Sequence, residues 1–192
     1  MVRIIFQYIP YNTDAGFLKI KQDYINIDFW RGAFFIHVYS SVFVLFAGIS
    51  QFSKKFRTIR PSLHRMLGYF YVFNVLLITG PASLIMGFYA NGGIGSKIAF
   101  VLLSLLWMFF TCKAVIDAKQ KRFKSHQRFM IRSFALTLSA ITLRAWKFGI
   151  TNTISIPPMD IYRMVAWLGW VVNLGVAEYY IRKYLNRKYA LG

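Results

Sequence analysis

The chain has 192 residues, of which 57% are hydrophobic and 16% charged, with 24 Lys+Arg against 6 Asp+Glu. Soluble domains carry about a quarter charged residues, so a water-soluble globule is excluded. The net charge of +18 is spread as punctuation between apolar runs, which excludes a basic nucleic-acid-binding module. One cysteine, Cys112, rules out a disulfide within the chain and a thiolate metal cluster.

Residues 1–31 hold Asp14, Asp23 and Asp28, half of the chain's acids, and read as a short extracytoplasmic segment lying on the outer surface. Met1–Ile9 is too short for the apolar core of a signal peptide. Either the first span inserts as a reverse anchor, or an upstream helix is missing from this chain. A helix needs about 20 residues to cross the hydrocarbon core. Charge-free or nearly charge-free runs of that length predict spans over 32–53, 66–90, 96–116, 129–150 and 161–181. Gly80-Pro81 predicts a kink in the second. The fourth is interrupted by Arg132, Arg144 and Lys147. The predicted fold is an all-α, polytopic five-helix bundle over 32–183, followed by a basic tail over 184–192. Alternate loops carry fifteen Lys and Arg on one side and seven on the other. The richer side is expected to be cytoplasmic, with the N-terminus outside and the C-terminus inside.

Polar and small residues recur at helical spacing on three spans. His37, Ser41, Val44, Gly48 and Gln51 form one stripe; Ser133, Thr137, Ala140, Arg144 and Lys147 a second; Ala166, Gly169, Asn173 and Ala177 a third. Lipid offers such residues no hydrogen bond, so each stripe is expected to face protein. His37, Gln51, Arg144 and Asn173 make a candidate secondary polar site on these stripes.

The principal candidate site comes from the histidines. His64 follows Ser62 and His126 follows Ser125, two residues suited to cap a helix, so both imidazoles are expected in first helical turns at equal depth on the cytoplasmic face. Arg65, Arg128 and Arg132 lie nearby. Free backbone N–H groups and the positive end of the helix dipole add to those charges and suit an anion. Three chemistries remain open: His64 and His126 as interfacial residues bonded to carbonyls or lipid phosphates, as the two ligands of a single haem b, or as part of a pocket for an anionic ligand. His37 sits toward the opposite face and cannot join them. No phosphate-loop motif, His-Glu-x-x-His zinc motif, paired intramembrane carboxylates or nucleophilic triad is present.

Three blocks carry a family resemblance: His37 with Gly48-Ile49-Ser50-Gln51-Phe52; Pro61-Ser62-Leu63-His64-Arg65-Met66-Leu67-Gly68-Tyr69-Phe70-Tyr71; and His126 with Met130-Ile131-Arg132-Ser133-Phe134-Ala135 and Arg144. They resemble a bacterial multi-pass membrane family known as domain of unknown function 2306, over about residues 33 to 145. The resemblance implies a bacterial inner-membrane location and no defined activity. Members often begin with one more helix. A looser likeness is to cytochrome b561-type bundles, which use four histidines where this chain has three.

The expected function is therefore that of an integral membrane protein with a cytoplasmic-side site of His64, Arg65, His126, Arg128 and Arg132 that binds an anionic ligand, lipid head group or cofactor. The alternatives are a haem-binding redox subunit and a non-catalytic assembly subunit. Its partners are the lipid bilayer, including anionic phospholipid, and a membrane protein or a second copy of the chain.

Overall fold

The computed structural model describes residues 6–9 and 11–185, at Lys54 the backbone alone. Among the described residues every regular element is helical: a 3-10 turn (Gly16–Ile20) and a short helix (Gln22–Ile25), then α1 (Asp28–Gln51), α2 (Lys54–Ile59), α3 (Pro61–Phe88), α4 (Ile94–Lys119), α5 (Phe123–Thr137), α6 (Ser139–Thr153) and α7 (Pro158–Leu185). Four of these, α1, α3, α4 and α7, are long and apolar enough to cross a membrane. The chain divides into two compact units, Met1–Tyr89 and Ala90–Gly192.

In the first unit α1 packs along α3. The buried face of α1 includes Ala33, Val44, Ala47 and Gly48, while Ile36, Phe43, Phe46 and Ile49 stand exposed as an apolar outer face. That is the partition a membrane helix requires, with small residues toward protein and large apolar ones toward lipid. The irregularity expected at Gly80-Pro81 takes the form of a π-helical stretch over Asn74–Thr79, with the Gly80 N–H bonded to the Val75 carbonyl. Pro81 has no N–H to donate and its ring crowds the preceding turn, so one wide turn absorbs the mismatch. Residues 11–28 do not simply lie on a surface. Leu18, Ile25, Trp30, Phe34 and Phe35 form one buried aromatic-rich cluster with Tyr8. Lys21 enters it, donating to the Tyr89 carbonyl with its ammonium 4.8 Å from the centre of the Tyr24 ring.

In the second unit α4 packs antiparallel to α5, and α7 packs on α4, α5 and α6. Where a single span over 129–150 is expected, the structure has two helices of 15 residues each, joined at Leu138. The cause is neither proline nor glycine. The Asn173 amide on α7 donates to the Ala135 carbonyl at 3.1 Å, the carbonyl that a continuous helix would offer to Ser139. A side chain inserted into the backbone ladder is a known source of helix breaks. The third expected stripe is the inner face of α7: Ala166, Gly169 and Ala177 are buried. At Gly169 the helices approach so closely that a Cβ would lie 2.9 Å from the Leu143 Cβ. Of the expected basic tail over 184–192, Tyr184 and Leu185 still belong to α7, and residues 186–192 lie outside the described residues.

Candidate functional site

The expected helix caps differ from those found. Arg60 caps α3 with Pro61 as its first residue, and Arg122 caps α5. Ser62 and Ser125 therefore fall inside their helices. His64 and His126 share one register, each the fourth residue after its cap, with N–H groups bonded to the Arg60 and Arg122 carbonyls at 3.0 and 2.9 Å. Each imidazole thus lies at the end of the first turn, and its amide is already committed.

His64 and Arg65 belong to the first unit, and His126, Arg128 and Arg132 to the second. On the first unit, Arg60, Ser62 and Arg65 line an open depression of about 500 Å³ together with Ile59, Pro61, Leu63 and Met66. Both arginines are exposed. Among the described residues neither has an ion pair, and no Asp or Glu occurs between Asp28 and Asp117. Asp28 lies at the start of α1, whose 24 residues span about 36 Å, and is already bound to Arg31.

The second unit handles its arginines differently. Arg132 is not left without an acid: its Nε and Nη2 both bond the Glu178 carboxylate, the latter at 3.0 Å, and its guanidinium lies 5.2 Å from the centre of the Phe129 ring. This is a bidentate pair, the strongest form of the contact, and it ties α5 to α7. At the α4–α5 turn, Asp117 is fully buried and accepts from Arg122 at 2.5 Å and from the Ser125 hydroxyl at 2.5 Å, with Lys113 3.9 Å away. His126 Nδ1 is 2.8 Å from the Ala114 carbonyl. A carbonyl only accepts, so Nδ1 carries the proton and Nε2 is the nitrogen open to a further partner. The Arg128 Nε is buried without a hydrogen bond among the described residues.

Further along the same pair of helices, Thr111 and Ser133 hydroxyls meet at 2.7 Å and Trp107 Nε1 donates to Thr137 at 3.0 Å. From Asp117 to Trp107, successive turns of α4 are joined to α5 by side-chain hydrogen bonds. Asp117 matches no catalytic or ligand motif. Its one sequence signal is that it is the lone acid between Asp28 and Asp160, set among Lys113, Lys119, Lys121 and Arg122. Cys112, next to this seam, is exposed and free.

Of the secondary polar site, His37 and Gln51 belong to the first unit, and Arg144 and Asn173 to the second. His37 Nδ1 is 3.3 Å from the Thr79 carbonyl, beside a 2.7 Å contact between the Ser40 and Thr79 hydroxyls at the end of the π stretch. Gln51, fourteen positions along α1, packs beside Gly68. Asn173 bonds Thr142 Oγ1 at 2.9 Å as well as the Ala135 carbonyl. Arg144 is exposed and donates to the Ala140 carbonyl of its own helix. Among the described residues no three His, Cys, Asp or Glu side chains gather in a group that could hold a metal ion.

A protein family described as a predicted membrane protein (DUF2306) matches the chain over residues 34–181. No curated protein and no solved structure matches it, and the likeness to cytochrome b561-type bundles gains no support.

Proposed function

We propose, for a chain that belongs to the DUF2306 family of predicted membrane proteins, that the amino-terminal end of α3 is a binding site for an anionic phospholipid head group. Arg60 and Arg65 are its cationic walls, and His64 stands between them on the first turn. The observation that supports this reading is the charge imbalance of the first unit. Arg57, Arg60 and Arg65, with Lys55, lie beyond the far end of α1 from every carboxylate of their unit. In the second unit Arg122, Arg132 and Arg163 each have an acid. Arg132 leaves the expected site because Glu178 occupies its guanidinium, and what remains is the depression lined by Arg60, Ser62 and Arg65.

The chemistry follows from electrostatics at a membrane boundary. Each Lys or Arg near an anionic leaflet contributes about 1 kcal/mol of attraction. An arginine fork also matches the geometry of a phosphate. Ser62 and Leu63 add N–H groups that precede the first hydrogen bond of α3. In the same reading the α2–α3 corner is cytoplasmic, in keeping with the excess of Lys and Arg in its loop. α5 and α6 together make one crossing broken at Leu138, for five crossings in all, with the N-terminus outside, in a bacterial inner membrane.

Native mass spectrometry of the detergent-purified protein tests the site. The protein is expected to retain more phosphatidylglycerol than phosphatidylcholine at the same collision energy, and Arg60→Ala/Arg65→Ala is expected to weaken binding of that additional phosphatidylglycerol about tenfold or more. Equal retention of the two lipids by the unaltered protein would sink the proposal.

A further inference from the structure

The connection from α3 into α4 reads Asn91-Gly92-Gly93-Ile94-Gly95-Ser96-Lys97. It does not have the spacing of a phosphate loop, but it leads through two glycines of unusual backbone conformation into the start of a long helix. Gly92 and Gly93 have φ of 83° and 82°, in the region that favours glycine. Gly93 caps α4, and the first backbone bond of the helix runs from the Lys97 N–H to the Gly93 carbonyl at 3.2 Å. The N–H groups of Ile94, Gly95 and Ser96 come before that bond, at the positive end of a 26-residue helix.

A second observation marks this end as a receptor rather than an ordinary helix start. Ser96 is 1% exposed, and its hydroxyl has no hydrogen-bond partner among the described residues. A buried hydroxyl left unpaired is costly, so its presence calls for an acceptor. Gly92 makes room for it, since a Cβ there would lie 2.6 Å from the Ser96 Oγ. Arg163 of α7 braces the loop by donating from Nε to the Gly92 carbonyl at 3.0 Å, while its Nη1 pairs with Asp160 at 2.8 Å. These residues line an open depression of about 560 Å³, with Met164 and Trp167 along its side. Its rim is apolar: Ile94, Met164 and Trp167 are all exposed.

Donors on the floor and apolar side chains on the rim suit an amphiphile that carries its negative charge at one end. We propose that this depression seats the phosphate of a membrane phospholipid, with the N–H groups of Ile94, Gly95 and Ser96 and the Ser96 hydroxyl as donors. The residues are all in the second unit and none belongs to the α3 site, so the two proposals stand independently. They also differ in selectivity. Asp160 offsets the Arg163 charge, so this seat recognises the phosphodiester itself and accepts zwitterionic and anionic lipids alike.

The test uses the protein in micelles, labelled with 15N-glycine, with the Gly92 and Gly93 amides as reporters. Dihexanoyl phosphatidylcholine and dihexanoyl phosphatidylglycerol are each expected to give saturable shifts. Gly95→Pro removes one donor in a helix turn that tolerates proline, and is expected to weaken both about tenfold. Ser96→Ala is expected to weaken both as well and serves if Gly95→Pro disturbs the fold, whereas Gly95→Ala keeps the donor and is expected to bind as before. Equal shifts from dihexanoylglycerol, which has no phosphate, would overturn the proposal in favour of a purely apolar groove. Saturation by inorganic phosphate at the same concentration would overturn it in favour of a free-ion seat.

Discussion

Asp117 shows how much one buried carboxylate organises in a chain so rich in bases. It is fully buried, while Arg122, its principal partner, has a side chain 52% exposed. The pair therefore combines a desolvated acid with a solvent-reaching base, and the Ser125 hydroxyl completes the shell. Loss of the carboxylate charge leaves these donors poorly matched. Asp117→Asn is expected to destabilise the protein by about 1–3 kcal/mol, read as a lower thermal midpoint by circular dichroism in detergent. An unchanged midpoint would show the cluster to be incidental. At this scale the sequence was legible where a residue type carried its own signal. His64 and His126 stand out by rarity and do occupy matching positions in their helices. Asp117 does not stand out, because its partners come from across a turn that no periodicity describes. Glu178 is the one carboxylate the sequence offers to Arg132, but Arg182 four residues on competes for it, and the choice between them depends on a contact 46 positions apart.

At the scale of elements, apolar runs identify α1, α3, α4 and α7 because each is free or nearly free of charge over the length that spans a bilayer. The break at Leu138 escapes the same logic. Residues 129–150 contain neither Pro nor a central Gly, and the agent of the break, Asn173, sits on another helix. Its amide nitrogen also lies 3.2 Å from the Gly169 carbonyl, so one side chain holds α5, α6 and α7 at a single point. Asn173→Ala is expected to cost about 1 kcal/mol, the scale of a hydrogen bond between membrane helices. The sharper signature is local: hydrogen exchange at Ser139 and Ala140 should slow as the helix closes across Leu138 and the Ala135 carbonyl regains a backbone donor. Faster exchange at those two amides would mean that Asn173 stabilises a break set by other residues.

Across the whole molecule, the composition already states that the protein belongs in a membrane, and the family match agrees. The distribution of its few acids is the more informative pattern. Acids placed at Asp117, Asp160 and Glu178 each meet an arginine in the second unit. The first unit keeps Asp14 and Asp23 before α1 and Asp28 at its first residue, with its basic stretch beyond the other end of that helix. A helix of that length lets the two ends meet different surroundings, so the basic end looks outward for its counter-charge. In the proposal above, anionic head groups of the membrane supply one. The most direct measurement is photo-crosslinking with a phosphatidylglycerol that carries its reactive group on the glycerol head, followed by peptide mapping. Labelling is expected at residues 59–66 and is expected to be lost there in Arg60→Ala/Arg65→Ala, while any labelling of the depression at the start of α4 persists, with Asn173→Ala labelled as the unaltered protein is. Labelling spread evenly over the exposed ends of the helices, or retained at residues 59–66 in the double variant, would contradict the proposed site.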